Sequence, residues 1–96
     1  MATYVVMKEN TSDHSSDYTL YAGTKAGKAM NKVENEEKDS TYTEVWVRGE
    51  HLYTVTGNSR FEEWWVYRFS DENNYRYHWK DYTLQDLLFK LAVGTL

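Results

Sequence analysis

Neither cysteine nor proline occurs among the 96 residues. The missing cysteine excludes a disulfide framework, a Cys-based zinc site and thiol chemistry. Glycine is scarce, at 5 residues, and none of it forms a phosphate-cradling loop or a nucleophile elbow. No apolar run approaches the ~18 residues that a membrane-spanning helix needs. Residues 1–8 lack the basic lead, apolar stretch and small-residue cleavage site of a signal peptide, so the expected compartment is the cytoplasm. The triplet Asn10-Thr11-Ser12 fits the glycosylation pattern, but without export it reads as a polar loop. Basic residues are in the minority: 11 Lys and Arg stand against 15 Asp and Glu, a formal charge of -4. That balance opposes indiscriminate binding to a phosphate backbone.

What the chain has in excess is rings. Hydrophobic residues make up 41%, aromatic residues 17% and charged residues 27%, too apolar for a disordered tail and too short for two ordinary domains. The expectation is one compact domain over residues 1–96. A chain of 11.4 kDa buries about 65% of its unfolded surface, enough for one modest core.

Residues 3–8 form a β-rich run, whereas 9–17 are almost all Ser, Thr, Asn, Asp and His, which prefer local hydrogen bonds to ladder pairing. A second strand over 18–22 ends at Gly23. From Thr24, the expected N-cap, Ala26, Ala29, Met30 and Val33 recur at helical spacing and predict a helix over about 24–37. Gly27 weakens it by roughly 1 kcal/mol relative to Ala. Residues 41–48 alternate, with Thr43, Val45 and Val47 on one face and Tyr42, Glu44, Trp46 and Arg48 on the other. A type II′ turn at Gly49-Glu50 then sets Val47 opposite Leu52, Trp46 opposite Tyr53 and Val45 opposite Thr54.

Gly57-Asn58-Ser59 is expected to end that strand. Two further strands, 63–70 and 75–80, flank a polar turn. The expected register pairs Phe69 with Tyr75, Tyr67 with Tyr77 and Trp65 with Trp79, which lines six rings along one face and sets Arg68 opposite Arg76. A one-residue slip would mix rings with charges. The last segment carries the clearest helix signal, with Thr83 and Asp86 as a capping pair, then Leu84, Leu87, Leu88 and Leu91 as a stripe over 84–93. The fold class is α+β: a mainly antiparallel five- to six-stranded sheet with two helices, about 24–37 and 84–93, packed on one face. The other face is left uncovered.

Rings beyond those the core can hide act as anchors in association, and Trp46, Tyr53 and Trp64 are the candidates. The acidic cluster Glu34, Glu36, Glu37 and Asp39 lies where negative charge opposes the helix dipole; it is either a solvated face or a carboxylate row that meets a basic site on a partner. An alternative site is the expected face carrying Trp64, Arg68, Arg76, His78 and Lys80, where rings and cations together suit single-stranded nucleic acid. The same groups are equally accounted for as Arg stems covering an indole. Asp13, His14 and Asp17 have no recognisable metal-ligand spacing, and His14, His51 and His78 with Glu62 or Glu63 form no specific acid–base pattern. No metal, cofactor, membrane or small-molecule substrate is therefore expected, and no enzymatic activity.

The opening order of two strands, a Lys- and Glu-rich helix and a strand resembles that of many small proteins of phages and other mobile elements, inhibitors of host defence systems among them. The resemblance is one of layout alone, and it implies a stoichiometric inhibitor. The functional expectation is a non-enzymatic interaction module that binds another protein, or a second copy of itself, through aromatic and acidic surface. Single-stranded nucleic-acid binding is the alternative.

Overall fold

A computed structural model of the chain describes residues 1–10 and 16–96. Asp13, His14 and most of the expected 9–17 loop lie outside the described residues. Six strands, β1 (Ala2–Lys8), β2 (Tyr18–Gly23), β3 (Thr41–Val47), β4 (Glu50–Asn58), β5 (Glu63–Arg68) and β6 (Asn74–His78), form one antiparallel sheet in the order β2-β1-β3-β4-β5-β6. Helices α1 (Ala26–Glu34) and α2 (Leu84–Val93) contact each other and the sheet, α1 over β1, β2 and β3 and α2 over β3. The fold is the expected α+β arrangement. Among the described residues no helix is long and apolar enough to cross a membrane.

Side-chain alternation decides which sheet face the helices cover. Every buried strand residue, from Tyr4 and Val6 through Thr41, Thr43, Val45, Val55 and Gly57 to Trp64 and Val66, points to one side. There they meet Ala29 and Val33 of α1 and Leu84, Leu87, Leu88 and Leu91 of α2. No strand residue of the opposite parity is buried.

The helix ends follow local chemistry. At α2 the Thr83 hydroxyl accepts a hydrogen bond from the Asp86 backbone N–H at 3.2 Å, and Gly94 closes the helix in the left-handed region at φ 75°. Helix α1 is shorter than the periodicity predicts. Its N-cap is Lys25 rather than Thr24, with no side-chain cap, and it stops at Glu34. Glu36 and Glu37 then leave the helix, where their charge would oppose the dipole, and a single 3₁₀ turn, Lys38–Ser40, leads into β3.

Both hairpins depart from their expected registers. In the first, the loop is Arg48-Gly49, with positive φ at both residues (54° and 80°), the backbone of a type I′ turn. Val47 therefore faces Glu50 and Trp46 faces His51, and a bulge at Leu52 brings Tyr53 opposite Val45. Trp46 and Tyr53 consequently lie on opposite faces. Strand β4 runs straight through Gly57, where a Cβ would come within 2.6 Å of the Lys38 Cβ, so glycine admits the 3₁₀ turn rather than ending the strand.

In the second hairpin Trp64 pairs with Tyr77, Trp65 with Arg76 and Val66 with Tyr75, so the six-ring ladder does not form. Arg68 faces Tyr53 rather than Arg76. Residues 64–67 are apolar or aromatic at both parities, and alternation within them cannot choose between the two. Long-range pairing chooses: Trp64 lies opposite Gly57 and Val66 opposite Val55, on the side that the helices cover. Trp64 is 3% exposed, and its Nε1–H donates to the Tyr82 carbonyl at 3.1 Å.

Denaturant unfolding tests this seating. Trp64→Ala should cost about 3–5 kcal/mol through the lost burial and cavity, against about 1 kcal/mol for Trp65→Ala; the reverse order would contradict the register. Replacing Arg48 by Asn, which tolerates positive φ, should stabilise the protein by roughly 0.5 kcal/mol.

Candidate functional site

On the side away from the helices, neighbouring strands align rows of side chains. One row runs Val5, Glu44, Thr54, Tyr67 and Asn74, and the next Met7, Tyr42, Thr56, Trp65 and Arg76. The face carries two ring clusters. In the first, Trp46 and His51 stack across the β3–β4 ladder with centroids 5.0 Å apart and planes at 12°, and Phe69 lies 4.5 Å from His51. The Phe69 backbone N–H, donating to the Leu52 carbonyl at 3.2 Å, holds that ring at the bulge.

In the second cluster Phe61 stacks on Trp65 at 6.4 Å, and the Arg76 guanidinium covers the Trp65 ring at 4.4 Å. Phe61 and Phe69 are 49% and 54% exposed. The two indoles are oriented by the same device. Trp46 Nε1–H donates to Glu44 at 3.1 Å, and Trp65 Nε1–H to Glu63 at 3.2 Å. A carboxylate two residues earlier in a strand shares the ring's face and reaches its N–H.

His51 Nε2 lies 3.0 Å from both the Tyr53 carbonyl and the Thr54 hydroxyl. A carbonyl oxygen only accepts, so Nε2 carries the proton and donates to both oxygens. His51 is thus a fixed stacking ring and not a base for Thr54. Between the clusters, an open depression of about 410 Å³ includes Tyr42, Asp17, Thr56 and Tyr67 in its lining. The Tyr42 hydroxyl donates to Asp17 at 3.0 Å. Burial, reinforced by the Asp17 carboxylate, pushes the Tyr42 phenol up to about 12.

The expected site residues do not converge. Trp46 lies on the open face, Tyr53 on the helix side and Trp64 in the core. Trp64 and Arg68 point to the opposite side of the sheet from Arg76 and His78, so the shared face expected for nucleic acid does not form. His78 Nδ1 accepts from the Lys80 backbone N–H at 3.0 Å, and Lys80 itself is exposed.

The acidic cluster is divided among structural tasks. Glu34 pairs with Lys38 at 3.0 Å, Glu36 pairs with Lys8 at 3.2 Å, and Asp39 accepts from the Ser59 N–H at 2.8 Å and from its hydroxyl. Glu37 is exposed. The side chains actually gathered on the open face, His51, Phe61, Trp65 and Phe69 with Trp46 and Arg76, had one local signal, the spacing Glu-x-Trp at 44–46 and again at 63–65. Among the described residues no group of three or more His, Asp or Glu side chains is placed to hold a metal ion.

Ultraviolet titration should show Tyr42 ionising near pH 12 against the ordinary 10.0, and Asp17→Asn should lower that value. Because the folded value is the raised one, its contribution to stability is whole below pH 10 and is lost as pH rises toward 12. Ionisation of Tyr42 at its ordinary value would contradict the contact with Asp17.

Comparison with protein-family models, curated proteins and solved structures finds no match.

Proposed function

We propose that this protein is a non-enzymatic binding module that docks a partner protein on the open face of its sheet and acts by occupying it, as a stoichiometric inhibitor does. One observation supports this reading above the others: of nine tyrosines, four tryptophans and three phenylalanines, Tyr4 and Trp64 are buried and Tyr21, Tyr53, Tyr75, Tyr77, Trp79 and Tyr82 are half-buried against the core, while two further ring clusters stand on the face that no helix covers. Trp and Tyr together with Arg are the side chains that anchor protein interfaces, because they supply large contact area at small cost in conformational freedom. The indoles of Trp46 and Trp65 are already held by Glu44 and Glu63. Little further ordering is needed on contact, which favours affinity.

Binding of single-stranded nucleic acid remains the second reading, now resting on Arg76 over Trp65 and Arg60, 5.4 Å from the Phe61 ring. The net charge of -4 weighs against it. Occupancy of these rings by Arg side chains also means that a base would have to displace them.

Affinity capture from a cell lysate, read by mass spectrometry, tests the module. Wild-type protein should retain a partner in saturable, fixed ratio. Trp65→Ala, and separately Trp46→Ala with Phe69→Ala, should lose it while circular dichroism shows the fold intact. A partner retained equally by all variants would overturn the assignment to this face. Oligonucleotide quenching of Trp65 fluorescence, with no protein captured, would favour the second reading.

A further inference from the structure

The helical layer bears a groove of different chemistry. Helices α1 and α2 enclose an open cavity of about 870 Å³ between the first turn of α1 and the outer side of α2, with Lys25, Lys28, Met30, Phe89, Lys90 and Val93 in its lining. Phe89 and Val93 are 58% and 53% exposed, one turn apart on the outer side of α2. They are also shared walls of a second, apolar depression of about 230 Å³, which reaches Ala2, Tyr4, Val47 and Ala92. Apolar floor and apolar pocket are continuous.

The rim is cationic and unpaired. Lys8, Lys38 and Arg68 are each in an ion pair, whereas among the described residues no carboxylate lies within salt-bridge distance of Lys25, Lys28 or Lys90. Asp86 is the single acid in the lining. The N-terminus of α1 opens at the same place, with no side-chain cap and no acid in its first turn, so the dipole adds positive potential. In a chain of net charge -4, this is local positive potential set over apolar surface.

We propose that this groove receives an acidic segment of a partner protein, its carboxylates against Lys25, Lys28 and Lys90 and an apolar side chain seated beside Phe89 and Val93. Charge complementarity argues for acid, and the apolar pocket argues for a peptide rather than a phosphate backbone, which has no apolar side chain to place there. A concave groove also fits an extended or helical segment better than a flat anionic bilayer. The site lies on the helix side of the sheet and does not depend on the open-face rings.

Fluorescence anisotropy provides the test, with a labelled synthetic peptide in which Leu and Phe recur every three to four positions among Glu residues. This peptide should bind the full chain saturably, and the same peptide with Lys in place of Glu should not. Binding should weaken roughly tenfold as salt is raised past the range where surface charges are screened. Lys28→Glu with Lys90→Glu should abolish binding, and Phe89→Ser should weaken it, all with unchanged circular dichroism. Trp65→Ala should leave it intact, which separates this site from the open face. No binding of the acidic peptide at low salt, equal binding of its Lys counterpart, or unchanged binding by the Lys variants would overturn the proposal. So would preference for a single-stranded oligonucleotide or an anionic phosphatidylserine vesicle over the peptide.

Discussion

The seat of Trp64 opposite Gly57 decides which rings this protein hides and which it shows. The Trp64 indole packs in the core beside the Trp79 ring, at 5.6 Å, with its N–H on the Tyr82 carbonyl, and once it is inside, period-two geometry turns Trp65 outward. The same choice brings Arg76 across from Trp65 and Tyr77 to Trp64. A slip of one residue would exchange the two indoles, and with them the core and the surface. Gly57 serves a second contact as well, since its bare backbone lets the 3₁₀ turn lie close to β4.

From that constraint follows a molecule with two unlike sides. The sheet side offers flat, pre-oriented rings held by Glu44 and Glu63, with Tyr42 and Asp17 coupled between them. The helix side offers unpaired lysines over an apolar floor. Most acids of the 34–39 cluster are engaged by neighbours in space, although Glu36, Glu37 and Asp39 still line one shallow depression beside Trp79. Glu34, Glu36 and Asp39 tie the end of α1 and the 3₁₀ turn to Lys38, Lys8 and Ser59. Such exposed pairs contribute about 0.2–1 kcal/mol each at most; their role is to fix the path of the chain between α1 and β3.

How much of this could be read from the residues depended on how local the deciding interaction is. Helix α2 was legible in full, because Thr83, the leucine stripe and Gly94 act within a few residues of one another. So was the α+β order of elements. The end of α1 was not, because the carboxylates beyond Glu34 are engaged by residues far along the chain, Lys8 and Ser59 among them. The hairpin registers failed for the same reason. Arg48-Gly49 and Gly49-Glu50 are both plausible two-residue turns, and residues 64–67 are apolar or aromatic at both parities. Only the pairing with β4, a long-range contact, separates the alternatives. The expected sites inherited these errors: Trp64 and Tyr53 lie on the helix side, and Phe61 and His51 came to the open face unannounced, whereas Phe69 shares a face with Trp65 as the alternation indicates.

The most direct measurement is the NMR response of the four indole signals to a soluble paramagnetic agent. With Trp64 seated against Gly57, its indole proton should resist both broadening and hydrogen exchange, while the ring signals of Trp46 and Trp65 broaden strongly. Broadening of Trp64 together with protection of Trp65 would mean that the strand presents its other parity, and neither the core nor the open docking face described above would stand.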